Sequence, residues 1–179
     1  MNMVGDRTFE KALGWACGGM LSALLFAAPA GAQEARGKAE LKAGPGAITV
    51  DYGRPSLKGR DMLSRLEPGS FWRMGMNEAT VLTTPVDLTF GKTKVAKGSY
   101  SLWLKKDGEK FVLVLNSQTG QWGTQHDPAK DVYSVAMESA PLSSPMETFT
   151  IDLKGAPEGG ELGLVWGATK LSSAFVLGK

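Results

Sequence analysis

Beyond residue 46 the chain alternates apolar and polar positions with a period of two. Ile48, Val50 and Tyr52 share one side of an extended segment, with Thr49 and Asp51 on the other. Val86, Leu88 and Phe90 repeat the pattern against Asp87 and Thr89, and Phe149, Ile151 and Leu153 repeat it against Thr148, Thr150 and Asp152. Tyr100, Leu102 and Leu104 alternate with Ser99, Ser101 and Trp103. Successive side chains of a strand point to opposite faces, so each segment predicts a strand with one buried side. The run Phe111-Val112-Leu113-Val114-Leu115 is apolar on both sides and predicts a central strand, covered above and below. Asp107-Gly108, just before it, is a hairpin signal.

Further strands are expected over residues 80–84, 132–138, 162–166 and 170–176, about nine in all. Their number and turn-punctuated spacing predict an all-β fold: a single antiparallel β-sandwich, jelly-roll-like, over residues 44–179. The one helical pattern is weak and covers residues 59–66, where Met62, Leu63 and Leu66 fall on one side.

The N-terminal end reads differently. A polar start with Arg7 and Lys11 leads into an apolar, small-residue run over residues 13–28, followed by Ala30-Gly31-Ala32. Small residues at these positions match a signal-peptidase site, so residues 1–32 are expected to be a signal peptide cut after Ala32. The run is shorter than a membrane span and is interrupted by Gly14, Gly18 and Gly19, so no span is expected once it is removed. Residues 33–43 are charged and Ala-rich and read as a flexible lead-in. Gly44-Pro45-Gly46 then marks a turn.

Composition narrows the chemistry. Twenty Lys and Arg against 18 Asp and Glu leave a net charge of +2, without the basic excess that nucleic-acid binding demands. The single Cys, Cys17, lies in the expected signal peptide, so thiol chemistry and disulfides are excluded from the exported domain. A single His rules out multi-histidine metal sites, and neither a metal nor a cofactor is expected. The chain has no Gly-x-Ser-x-Gly elbow, His-Glu-x-x-His pair, phosphate-binding loop or dinucleotide fingerprint. His126, followed by Asp127-Pro128, reads as a loop histidine bonded to backbone rather than a catalytic base.

Two segments concentrate polar residues. Tyr52-Gly53-Arg54-Pro55-Ser56-Leu57-Lys58-Gly59-Arg60 sets Arg54, Lys58 and Arg60 on a backbone restrained by Gly and Pro. Phe71-Trp72-Arg73-Met74-Gly75-Met76-Asn77-Glu78 brings together an indole, a guanidinium, an amide and a carboxylate. Loops of this composition on a rigid sheet are where binding residues reside. The candidate ligand-binding set is Arg54, Lys58, Arg60, Trp72, Arg73, Asn77, Glu78, Trp122 and His126. Guanidinium forks would hold anionic groups and the indoles would stack. The competing reading makes Arg73 and Glu78 a buried ion pair that anchors the loop, and places Trp72, Trp103, Trp122 and Trp166 in the core. On that reading Arg73→Ala destabilises strongly, while Arg54→Ala and Arg60→Ala do not.

These two segments, with Gly98-Ser99-Tyr100-Ser101-Leu102 and Gln121-Trp122-Gly123, resemble a family of exported bacterial proteins catalogued only as a domain of unknown function. The likeness runs from about Ala47 to Phe175. Met74 and Met76 depart from it, at places where Thr and a small residue are expected. The resemblance implies a β-sandwich behind a signal peptide and carries no activity.

The expected function is therefore a periplasmic or extracellular, non-catalytic β-sandwich that binds a polar small molecule or glycan, anionic or saccharide-like. One alternative is a hydrolase working with carboxylates, Glu78 with Asp51, Asp127 or Asp131. The other is a structural envelope protein with no small-molecule ligand.

Overall fold

The computed structural model describes residues 36–178. The expected signal peptide and its cleavage site lie outside the described residues. Ten strands follow one another: β1 (Arg36–Ala43), β2 (Gly46–Gly53), β3 (Phe71–Trp72), β4 (Val81–Thr84), β5 (Leu88–Phe90), β6 (Thr93–Val95), β7 (Gly98–Asp107), β8 (Lys110–Asn116), β9 (Asp131–Ala156) and β10 (Gly159–Leu177). All pairings are antiparallel, in the order β1-β2-β4-β7-β8-β9-β10-β5-β6, with β3 on β7. The only helical turn among the described residues is a 3-10 turn, Pro128–Lys130.

The fold is all-β, as the period-two pattern predicts. Strand β9 makes it two-layered. Its first part pairs with β8 as far as Met137, and from Glu138 onward it pairs with β10. One layer therefore holds β1, β2, β4, β3, β7, β8 and the start of β9, and the other the rest of β9, β10, β5 and β6. Ile48, Val50, Leu82, Leu102, Leu104, Leu113 and Leu115 from the first layer meet Phe149, Ile151, Leu162 and Leu164 from the second, all essentially without exposure. Tyr52 joins the layers by setting its ring edge-on to Phe149 and donating its hydroxyl to the Ile151 carbonyl at 3.2 Å.

The central strand is covered on both sides. Phe111, Leu113 and Leu115 face the core, while Val114 and neighbouring Trp103 face outward and are still buried. The segment 117–130 covers Trp103, on which His126 stacks at 4.5 Å. Asn116 ties the segment's ends together, its Nδ2 donating to the Asp127 carbonyl and to Asp131 Oδ1 at 2.8 Å each. The hairpin at Asp107-Gly108 also forms, with Asp107 opposite Lys110.

Two expectations are corrected. Residues 36–43, read as part of a flexible lead-in, form β1 along the whole of β2. Ala39 and Ala43 are buried, while Lys38, Glu40 and Lys42 point to solvent. The apolar side of this strand is small, and its charged side is what an edge strand carries to discourage pairing with another chain. Residues 59–66 form turns and no helix. Asp61 accepts from the Ser64 amide through its side chain, and Leu66 N reaches back only to Leu63 O, so local bonds replace a helical ladder. Leu63 is still buried in the core.

Candidate functional site

The two polar segments meet beside β9 and β10. The loop following β2 lies along β9, with Leu57 N donating to Glu147 O and Phe149 N to Pro55 O. This brings Pro55, Ser56 and Leu57 beside Trp166 of β10. The turn following β3 closes the other side with Arg73, Gly75 and Met76. Together with Trp72, Arg60 and Met62 they enclose a cleft of about 230 Å³. Trp72 and Trp166 stack at 5.2 Å and form its aromatic wall. Its charged side chains are both cations, Arg60 and Arg73.

The 73–78 turn is held in an uncommon conformation. Met74 and Asn77 have φ of 48° and 61°, a region that L residues enter reluctantly. Gly75, at φ 154°, sits so close to Gly53 that a Cβ there would lie 2.9 Å from the Gly53 carbonyl oxygen. A Cβ on Gly53 would in turn lie 2.7 Å from the Met76 amide nitrogen and closer still to its carbonyl oxygen. Backbone thus packs directly on backbone, and both glycines are required for close approach. Thr80 Oγ1 donates to the Met74 carbonyl at 2.6 Å, and Met74 itself plugs the core. Gly123 presses on the far side of the turn, next to the Arg73 stem and the Asn77 carbonyl, which accepts from its amide. Such strain persists only where surrounding packing over-determines it.

The sequence-expected residues separate into groups. Arg60, Trp72 and Arg73 line the cleft. Asn77, Glu78 and Trp122 adjoin it on the outer face, where Glu78 and Trp122 form an isolated β-bridge. Trp122 is 48% exposed, unlike Trp72, Trp103 and Trp166, which are buried. Arg54 donates to Thr150 Oγ1 at 3.4 Å, and the Lys58 amide donates to Glu147 Oε1. Neither side chain lines the cleft. His126 lies elsewhere, between the rings of Phe71 and Trp103 at 4.5 Å from each, with Nε2 2.9 Å from Asp131 Oδ1. It bonds to a carboxylate and not to backbone, because the aromatic pair turns its ring toward the start of β9.

The expected Arg73–Glu78 pair is absent. Glu78 accepts from Arg36 Nη1 at 3.0 Å, with its side chain 58% exposed. The same guanidinium donates through Nε to Asp51. Arg36 and Lys38 face the residues of β2 across the register, which is why an N-terminal cation reaches this carboxylate first. Arg73 has no hydrogen-bond or ion-pair partner among the described residues, although it is half-buried. Of the carboxylates of the hydrolase alternative, Asp51 and Glu78 are bridged by Arg36 on the open surface, Asp131 pairs with His126 and Asp127 with Lys130, and among the described residues no carboxylate lines the cleft. Among the described residues no group of three His, Cys, Asp or Glu could hold a metal ion. No helix there is long and apolar enough to cross a membrane.

Sequence reasoning missed Arg36, Trp166, Met62 and Met76 as site neighbours. Arg36 carried a signal, since Arg36, Lys38, Glu40 and Lys42 alternate with small or apolar residues. Trp166 carried none, because only the return of β10 sets it beside Trp72.

The fold and site define a two-layered antiparallel β-protein with a cationic, aromatic-walled cleft. The chain belongs to the family described as protein of unknown function (DUF2911), whose model matches residues 34–175. That match takes in β1, the strand read as a lead-in. No curated protein and no solved structure matches the chain.

Proposed function

We propose that the protein is an exported, non-catalytic binding module that takes a small anionic ligand in the cleft beside Trp72 and Trp166. The observation that carries this reading is Arg73. Its guanidinium offers five donors, borders the cleft, and finds no acceptor among the described residues, while the nearest acidic candidate is occupied by Arg36. Arg60 adds a second cation, and among the described residues no lining carboxylate neutralises either. Planar forks of this kind suit carboxylate or phosphate oxygens. The glycine-locked turn supports the same reading, because it fixes the Arg73 backbone before any ligand arrives and so leaves only the side chain to be ordered on binding. Export rests on the N-terminal pattern of residues 1–32.

Thermal-shift screening against phosphates, sulfate, carboxylates and sugars tests the binding reading. Stabilisation by anions, lost in Arg73→Gln and Arg60→Gln, is the expected result. No stabilisation by any class at millimolar ligand overturns it and leaves a structural role. Cell fractionation with N-terminal sequencing tests export, and a mature form beginning at Gln33 is expected. An uncleaved protein in the cell interior overturns it.

A further inference from the structure

Resting on that reading of the cleft, we propose that the ligand is an amphipathic carboxylate, a flat apolar body about one aromatic ring in size bearing an anionic head. The cleft walls carry this inference. Pro55, Leu57, Met62, Trp72, Met76 and Trp166 are apolar or aromatic, and among the described residues Arg60 and Arg73 supply the only charge. An inorganic anion would satisfy the guanidinium groups but leave this apolar wall wet.

A neutral sugar fits worse, because its hydroxyl groups donate and need acceptors. Among the described residues the lining side chains provide no carboxylate and no amide, and their one hydroxyl is that of Ser56. Size points the same way. An apolar cavity of about 150 Å³ accepts benzene, and this cleft of about 230 Å³ leaves room for a ring plus a carboxylate. Two methionines on the wall fit the same ligand, since thioethers adapt to irregular shapes and contact aromatic rings favourably. The head then lies at Arg60 and Arg73 while the ring lies against Met62, Met76 and the exposed edges of the paired indoles.

Titration followed by the indole N–H signals of the ¹⁵N-labelled protein tests this, with phenylacetate, phenylacetamide, acetate, inorganic phosphate and glucuronate as probes. Phenylacetate is expected to shift the Trp72 and Trp166 signals, to leave Trp103 and Trp122 unmoved, and to bind at least tenfold more tightly than any other probe. Met62→Asp sets a carboxylate at the mouth of the cleft on a residue 41% exposed, and is expected to weaken phenylacetate at least tenfold in a folded protein. Phenylacetamide binding as tightly as phenylacetate overturns both the anion reading and this inference. Phosphate, acetate or glucuronate binding as tightly as phenylacetate, with the loss in Arg73→Gln, overturns the amphipathic class and keeps the anion site. Shifts confined to Trp122 or Trp103 place the ligand outside the cleft and overturn the inference. Binding by no probe overturns both.

Discussion

Gly53 and Gly59 belong to the same nine-residue segment, yet alanine at the two positions should behave differently. At Gly59 the backbone has a φ of 73° and a Cβ would meet nothing within 4 Å. The cost is then only that of a left-handed L residue, about 1–2 kcal/mol. At Gly53 a Cβ would lie 2.7 Å from the Met76 amide nitrogen, against an ordinary contact of 3.4 Å or more. Neither partner is a flexible side-chain end, so the 73–78 turn must retreat by at least about 0.7 Å. The retreat strains the Thr80 hydroxyl bond to Met74 and lifts Met74 out of the core. Overpacking alone costs about 1–3 kcal/mol, and the loosened Met74 adds to it. Gly53→Ala is therefore expected to cost about 3 kcal/mol or more, a loss of roughly 10 °C in Tm for a domain of this size. Urea denaturation of both variants decides the matter, read from the midpoint at constant slope. The Trp72 indole N–H signal should move in Gly53→Ala and stay in place in Gly59→Ala. If Gly53→Ala unfolds at the wild-type midpoint, the backbone-on-backbone clamp is wrong and the turn is free to open.

Four further outcomes are expected from contacts elsewhere in the structure. Arg73→Ala should cost about 1 kcal/mol or less, since the loss is stem packing and no ion pair. A double-mutant cycle should give about 0.2–1 kcal/mol of coupling for Arg36 with Glu78, while Arg73 with Glu78 should be additive within about 0.5 kcal/mol. A loss of 3 kcal/mol in Arg73→Ala would reinstate the buried anchor. Phe149→Ala removes a fully buried ring that meets Tyr52, Trp72 and Trp166, and should cost about 3–5 kcal/mol by chemical denaturation. Burial, with Tyr133 and Asp87 nearby, holds the Tyr100 hydroxyl above the usual phenol range. The unfolded chain gives up that proton first, so stability falls as pH rises past about 10, and Tyr100→Phe should flatten this alkaline decline. An unchanged alkaline limb in the variant would refute it.

Strand positions were legible because they depend on period and turn chemistry, which are local. The alternation at Ile48-Thr49-Val50-Asp51-Tyr52 and the double-sided run at residues 111–115 both correspond to the observed burial. Strand β1 was hidden because its inward residues are two alanines and a single Leu41 while its outward residues are charged, a composition shared with exposed linkers. The helix expected over residues 59–66 failed for the converse reason. Its apolar spacing was right, since Leu63 is buried, but the Asp61 side chain captured the amide a helix would need. The cleft was half legible. Arg60, Trp72 and Arg73 stood out by chemistry, whereas their partner Trp166 is fixed by long-range packing alone. Ion pairing was the least legible feature. Glu78 lies five residues from Arg73, but Arg36 lies beside it in space because β1 runs the length of β2.

Strand β9 belongs to both layers as one unbroken backbone, and this bears on how the molecule opens. Separate sheets joined by loops can loosen one at a time, each with its own opening free energy. Here the hydrogen-bond ladder passes from Phe111–Met137 in one layer to Glu138–Ser172 in the other within a single residue step. Releasing either half frees the end of the other, so the two layers should act as one cooperative unit. Amide hydrogens of Val135 and Ile151, one from each layer, should exchange with solvent at the same rate-limiting free energy, that of global unfolding. The cleft, bordered by the strand next to this shared one, is then carried by the most slowly opening part of the fold rather than by a fraying edge.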